Sequence, residues 1–284
     1  MKRVLLLRLA TPCLVATMLA GAAAPPSSSV VVGAWPLDEI APAAAVPPGA
    51  SFRTTVGTNP LRAASDTKLT GAATIPGVSR AVYFPGWRRL VNGSVDATES
   101  ALSTDPTLAF AAGSDGGTTT FDPGSSTFAV AVTVLPEPAN DFPMAGRSTS
   151  AISPNIVQKG LTATTGGFWK LSLGMGGSGT SKYWYPFCTF KSGATELKVG
   201  YSGTIYKLAQ SVPYRLGCLK SGATVTLRVS TPDGGSTLFT TSQTAPSDFT
   251  IDNNIAISVG HKPNSTDPAD SYSGSISSLR IDKS

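Results

Sequence analysis

The stretch that decides the fold is Gly260-His261-Lys262-Pro263-Asn264-Ser265-Thr266-Asp267-Pro268-Ala269-Asp270-Ser271-Tyr272-Ser273-Gly274-Ser275-Ile276-Ser277-Ser278-Leu279-Arg280-Ile281. A polar, turn-rich loop runs into a glycine and then into a short strand that closes the sequence. A closing strand pairs with strands already in place. It is therefore expected near the centre of a sheet, beside the first strand. Ile276, Leu279 and Ile281 do not share one alternating phase, and a bulge near Ser277-Ser278 restores it.

Strand patterns recur upstream of this segment. Residues 30–37 form the first, with Pro36 at its end because proline has no N–H for a ladder. Residues 38–79, mostly Ala, Pro, Gly, Ser and Thr, read as long surface loops with two short strands. Residues 80–84 are a strand stopped by Pro85-Gly86. In residues 128–135, Phe128, Val130, Val132 and Val134 share one face, and the small Ala129, Ala131 and Thr133 share the other with Leu135.

Residues 155–160 and 167–173 follow, and Gly174-Met175-Gly176-Gly177-Ser178-Gly179 reads as a flexible turn. In the aromatic strand 182–190, alternation puts Trp184, Cys188 and Phe190 on one face and Tyr183, Tyr185 and Phe187 on the other. Residues 196–201, 214–220, 224–230, 251–259 and 273–281 complete the set, with Val225, Leu227 and Val229 facing inward. Roughly a dozen strands without helical periodicity predict an all-β sandwich of two stacked antiparallel sheets. One domain over residues 23–284 is expected, with a split near 136–154 as the alternative.

Composition agrees with this. Only 14% of residues are charged, and Gly is abundant. Residues 1–22 read as a secretory signal: Lys2, Arg3 and Arg8, then an apolar run too short to span a bilayer comfortably, then small residues at Ala20-Gly21-Ala22. Losing those three from 22 basic residues, against 17 acidic ones, lowers the net charge from +5 to +2. No basic run longer than Arg88-Arg89 then remains, so nucleic-acid binding has no electrostatic footprint. A secreted protein free of the membrane after cleavage is expected. Cys188 and Cys218 remain as an even pair in an exported chain and predict one disulfide.

Four segments together resemble the concanavalin A-like jelly roll, in its laminin-G-like branch. They are Ala34-Trp35-Pro36-Leu37-Asp38-Glu39, Ser126-Thr127-Phe128-Ala129-Val130-Ala131-Val132, Asn155-Ile156-Val157-Gln158-Lys159-Gly160 with Phe168-Trp169-Lys170-Leu171, and Gly274-Ser275-Ile276-Ser277-Ser278-Leu279-Arg280-Ile281. They stand in the family's order. The resemblance implies a calcium site in some members, with Asp38 as the matching acid. Ser277 and Ser278 stand where the family carries paired aspartates, and serine replaces a charged calcium ligand poorly. Tyr214-Arg215 stand where Trp-His is common.

Catalytic chemistry has little to use. Retaining glycanases need two carboxylates about 5–5.5 Å apart, and strands deliver them at acid-x-acid spacing. Glu39, Glu99, Glu137 and Glu196 are far apart in sequence, and Asp38-Glu39 point to opposite faces. His261, the only histidine, lies in a loop and is read as solvated or hydrogen-bonded there. Asn264, Asp267 and Asp270 form an oxygen-rich loop. It is read as a turn, with calcium or a sugar hydroxyl as the functional alternative. Trp87, Tyr183, Tyr185 and Tyr201 are the candidate ligand-stacking residues. The expected function is a secreted, non-catalytic module that binds a glycan or another extracellular polymer. A hydrolase or lyase on the same fold and a ligand-free structural protein are the alternatives.

Overall fold

The computed structural model describes residues 29–47, 49–63, 69–72, 75, 80–85, 90–91, 94–95, 102–103, 119–142, 148–203, 205–262 and 268–284. Its strands in chain order begin with β1 (Val30–Trp35), β2 (Ser51–Phe52), β3 (Leu61–Ala63), β4 (Thr70–Ala72), β5 (Ala81–Phe84), β6 (Leu90–Val91), β7 (Ser94–Val95), β8 (Leu102–Ser103) and β9 (Phe128–Pro136). They continue with β10 (Asn155–Lys159), β11 (Phe168–Gly176), β12 (Tyr183–Ser192), β13 (Thr195–Val199), β14 (Tyr214–Ser221), β15 (Thr224–Ser230), β16 (Thr237–Thr244), β17 (Ile257–Val259) and β18 (Gly274–Lys283).

Two eight-stranded antiparallel sheets stack as a jelly-roll sandwich. The first runs β16-β15-β14-β9-β18-β5-β4, with β1 also on β18, and the second runs β13-β12-β11-β10-β17-β8-β3-β2. Each sheet draws strands from both sides of residues 136–154. The closing strand is central, as expected. β9 lies along one edge of β18, while β5 and then β1 share the other. The register shifts between Ser277 and Arg280, where β5 gives way to β1. There Ser278 takes φ +52°, and its N–H donates to Pro36 O at 3.0 Å. The bulge and the proline that ends β1 are thus one junction.

Alternation explains the core. Phe128, Val130, Val132 and Val134 from the first sheet meet Trp169, Leu171, Trp184 and Phe190 from the second, all in one buried cluster. Phe128 and Trp169 lie 5.1 Å apart between ring centroids. The Cys188–Cys218 disulfide forms as expected and joins β12 of one sheet to β14 of the other.

Four expectations need correction. Residues 38–79 are not merely surface: Val46, Phe52, Leu61 and Leu69 are buried, and three short strands run through this segment. Small neighbouring residues hid these isolated anchors. Only Ile257–Val259 of the expected strand 251–259 is extended into the sheet. The carbonyls of Asn253 and Ile255 turn inward instead, to bond Lys159 Nζ. β16 was not anticipated, because Thr237–Thr244 is an exposed edge strand with no apolar alternation. Lastly, the glycine-rich turn begins later than expected: β11 continues through Gly174 to Gly176.

Candidate functional site

The site begins with that extension of β11. Antiparallel pairing sets Gly174 opposite Tyr185 and Gly176 opposite Tyr183. A Cβ on Gly174 would lie 2.4 Å from Tyr185 Cζ, and one on Gly176 would lie 2.5 Å from Tyr183 Cζ. The missing side chains therefore let both phenol rings lie down across the neighbouring strand, on the face of the second sheet turned away from the core.

These rings form part of a ladder. Tyr183 and Tyr185 have centroids 6.5 Å apart, and Tyr185 and Phe187 are 6.4 Å apart. Tyr201 packs against Phe187 at 5.0 Å and Tyr185 at 6.2 Å, edge to face in both cases. Such geometry suits the aromatic quadrupole. Gly200, at φ +86°, directs the chain from β13 back over the face; a Cβ there would meet Leu227 Cδ2 at 2.4 Å. The edge of β12 that β13 leaves open is held by Leu208 N–H, which donates to Trp184 O at 2.9 Å.

A lysine stands over each of three rings. Lys207 Nζ is 4.4 Å from the Tyr183 centroid, Lys198 Nζ is 5.3 Å from Tyr201, and Lys170 Nζ is 5.5 Å from Phe187. Cations at these distances are attracted to the ring faces. Lys198 and Lys207 are exposed, Tyr183 and Tyr201 half-buried, and Tyr185 and Phe187 buried. The accessible part of the face thus presents two phenols and two ammonium groups over a buried aromatic floor.

Burial raises the Tyr185 phenol above its ordinary value, with Tyr201 and Tyr183 adding to the effect. It stays protonated and able to donate. Burial lowers Lys170 from 10.5 to about 8; Asp270 opposes the shift, and Lys198 and Lys262 reinforce it. Beside Lys170 on β12 sits Thr189, fully buried, whose Oγ1 has no hydrogen-bond partner.

The structure therefore brings Tyr183, Tyr185 and Tyr201 together, as sequence alternation suggested for the first two. Trp87 lies outside the described residues, as do Asp267, Asn264 and Glu99. Asp38 faces Arg53 at 3.1 Å, and Asp270 accepts from Lys262 Nζ at 3.1 Å. Among the described residues, no three His, Cys, Asp or Glu side chains gather where an ion could be held. His261 is buried, and its Nδ1 pairs with Ser271 Oγ at 2.9 Å. Glu39 lies beside Arg53, Glu137 accepts from the Tyr83 hydroxyl, and Glu196 pairs with Lys198.

Sequence reasoning missed the three lysines. Lys170 alternates with Trp169 and Leu171, so its outward position was readable. Its place over Phe187 required the β11–β12 register, which the glycines obscured.

No family model matches the chain, and no curated protein matches it by sequence. Solved structures do resemble it. The binding domain of botulinum neurotoxin serotype G is 10% identical with a TM-score of 0.52, over 89% of this chain and 47% of that one. Domain 4 of an extracellular arabinanase from Geobacillus stearothermophilus, solved with arabinotriose, is 12% identical with a TM-score of 0.44, over 90% and 93%. The enzymatically active domain of tailspike protein 2 from bacteriophage CBA120 is 12% identical with a TM-score of 0.45, over 75% of this chain and 27% of its own length. The chain thus spans about a quarter of the tailspike domain. At 10% identity the likeness to the neurotoxin domain is one of fold alone.

Proposed function

We propose that the chain is a secreted, non-catalytic jelly-roll module that binds a glycan through the outer face of the second sheet. The reading rests on one observation: four aromatic rings share a face, two of them only half-buried, and lysines stand over three of them. Flat rings accept the apolar faces of sugars, while phenol hydroxyls orient the sugar hydroxyls. The ammonium groups favour chains that carry carboxylate or sulfate. Tyr183 and Tyr201 are the contact residues, Tyr185 and Phe187 the floor, and Lys198 and Lys207 the charged rim.

In this reading residues 1–22 are removed on export and residues 23–284 fold as one unit. Among the described residues, no helix is long and apolar enough to cross a membrane. The inter-sheet disulfide suits an oxidising compartment.

The test is retention of purified protein on a panel of neutral, carboxylated and sulfated polysaccharides, with and without calcium. Binding to the charged chains, weakened by salt, supports the proposal. Retention on none of them, alongside intact fold and disulfide, overturns it. Release of shortened chains during the assay would replace the binding module with an enzyme.

A further inference from the structure

A second cluster of polar groups lies buried away from the aromatic face. Lys159 is fully buried and sits opposite Trp169 in the β10–β11 pair. Its Nζ lies 2.7 Å from Asn253 O, 2.7 Å from Ile255 O, 3.2 Å from Asn253 Oδ1 and 3.2 Å from Asp122 Oδ1. Asp122 is 1% exposed and Asn253 5%. An amine, a carboxamide and a carboxyl group thus meet in space closed to water.

The carboxamide is held at both ends. Its Oδ1 accepts from Ile255 N–H at 2.9 Å, and its Nδ2 donates to Gly167 O at 3.0 Å. Asp122 is fixed by Asn253 N–H, which donates to Oδ2 at 3.0 Å. Its Oδ1 is the oxygen that faces Lys159 Nζ, at 3.2 Å. That leaves this oxygen placed to take a proton.

We propose that Lys159 and Asn253 condense without an external enzyme into an intramolecular isopeptide bond, with Asp122 as the proton shuttle. The ammonium first gives a proton to Asp122, which leaves a neutral amine and a neutral carboxyl. The Nζ lone pair then attacks Cγ of Asn253. A C–N bond forms, and the carbonyl electrons move to Oδ1, where the Ile255 N–H stabilises them. Nζ loses a proton to the carboxyl group while the carboxyl proton passes to Nδ2. The Cγ–Nδ2 bond then breaks and ammonia leaves. The balance is one amine plus one carboxamide giving one substituted amide plus ammonia, with no oxidant or cofactor.

Physical chemistry bears on each stage. Effective molarity is high when reacting groups are held together in a fixed orientation, and Lys159 Nζ lies 3.2 Å from Oδ1 of the carboxamide it would attack. Removing an ion pair from water is costly, and that cost offsets part of the work of moving a proton to Asp122 from an ammonium that the Asn253 and Ile255 carbonyls hold. Burial pushes the Asp122 carboxyl up, against the opposing influence of Lys159 and the Asn253 N–H. The product replaces a buried ion pair with a neutral amide. It also ties β10 to the segment before β17, 94 residues away.

The test is intact mass and tryptic mapping of the reduced, denatured wild-type protein. The expected mass falls short of the unmodified chain by one ammonia. The expected map shows one branched peptide carrying Lys159 and Asn253, uncleaved after Lys159. Asn253→Ala and Asp122→Ala should each abolish the branched peptide. An unmodified mass with cleavage after Lys159 overturns the proposal, as does a branch to Asp122 formed with loss of water. The wild-type measurement decides even if a variant fails to fold.

Discussion

The phenol ring of Tyr185 lies across Gly174 on the adjacent strand, where a Cβ would sit 2.4 Å from its Cζ. The ring is packed between Tyr183, Phe187 and Tyr201, so it has little room to retreat. Gly174→Val should lift Tyr185 off the sheet and break the ladder. We expect a loss of about 1–3 kcal/mol from overpacking, read by denaturant unfolding, and a changed near-ultraviolet dichroism signal from the tyrosines. Unchanged stability and spectrum would mean the ring moves freely.

Tyr183 and Tyr201 are the half-buried rings of the face, and each has a lysine above it. Tyr183→Ala and Tyr201→Ala should each weaken polysaccharide binding on the order of tenfold, about 1–1.5 kcal/mol. Titration calorimetry at fixed ionic strength measures this. Lys198→Ala and Lys207→Ala should reduce the salt dependence of binding, because exposed charges are screened within about 8 Å at physiological salt.

Lys170 supplies a pH signature. Its charge is present below about 8 and lost above it, so affinity for an anionic chain should fall as pH rises through 8. Stability should move the other way. Because burial depresses the folded pKa below 10.5, the unfolded chain binds more protons between about 8 and 10.5, and stability rises with pH across that window. Lys170→Met should flatten both profiles. Unfolding midpoints from pH 7 to 10 give the check.

The disulfide closes a loop across a separation of 30 residues and links the two sheets. Replacing Cys188 and Cys218 together by Ser should cost about 3–4 kcal/mol on the loop-entropy account. Urea unfolding of the reduced-equivalent variant measures it. Both side chains lie within an otherwise apolar cluster, so the two serine hydroxyls add a desolvation cost of their own, which the matching double Ala variant separates from the loss of the cross-link.

The architecture was legible where apolar residues alternate over long runs. β9, β12 and β15 show this, and the Ser277-Ser278 bulge was readable because Ile276 and Leu279 fall out of phase. Alternation also put Tyr183 and Tyr185 on one face of their strand, opposite Trp184 and Cys188. Legibility failed where side chains gave no period. β16 is all but polar, β2 to β4 are two or three residues long, and Gly174 and Gly176 looked like a turn because nothing in their sequence announces the rings above them. Lys159 was the deepest miss. A lysine in a strand reads as exposed, and its partners Asp122 and Asn253 come from distant loops that only the folded chain assembles.

The central claim is that the face built by Tyr183, Tyr185, Phe187 and Tyr201 binds the polymer. Hydroxyl-radical footprinting, with and without a polysaccharide that the protein retains, tests it most directly. The account predicts protection at Tyr183 and Tyr201, with Tyr206 and Phe239 unchanged. Protection confined to residues outside the ladder, with Tyr183 and Tyr201 still reactive in the complex, would contradict it.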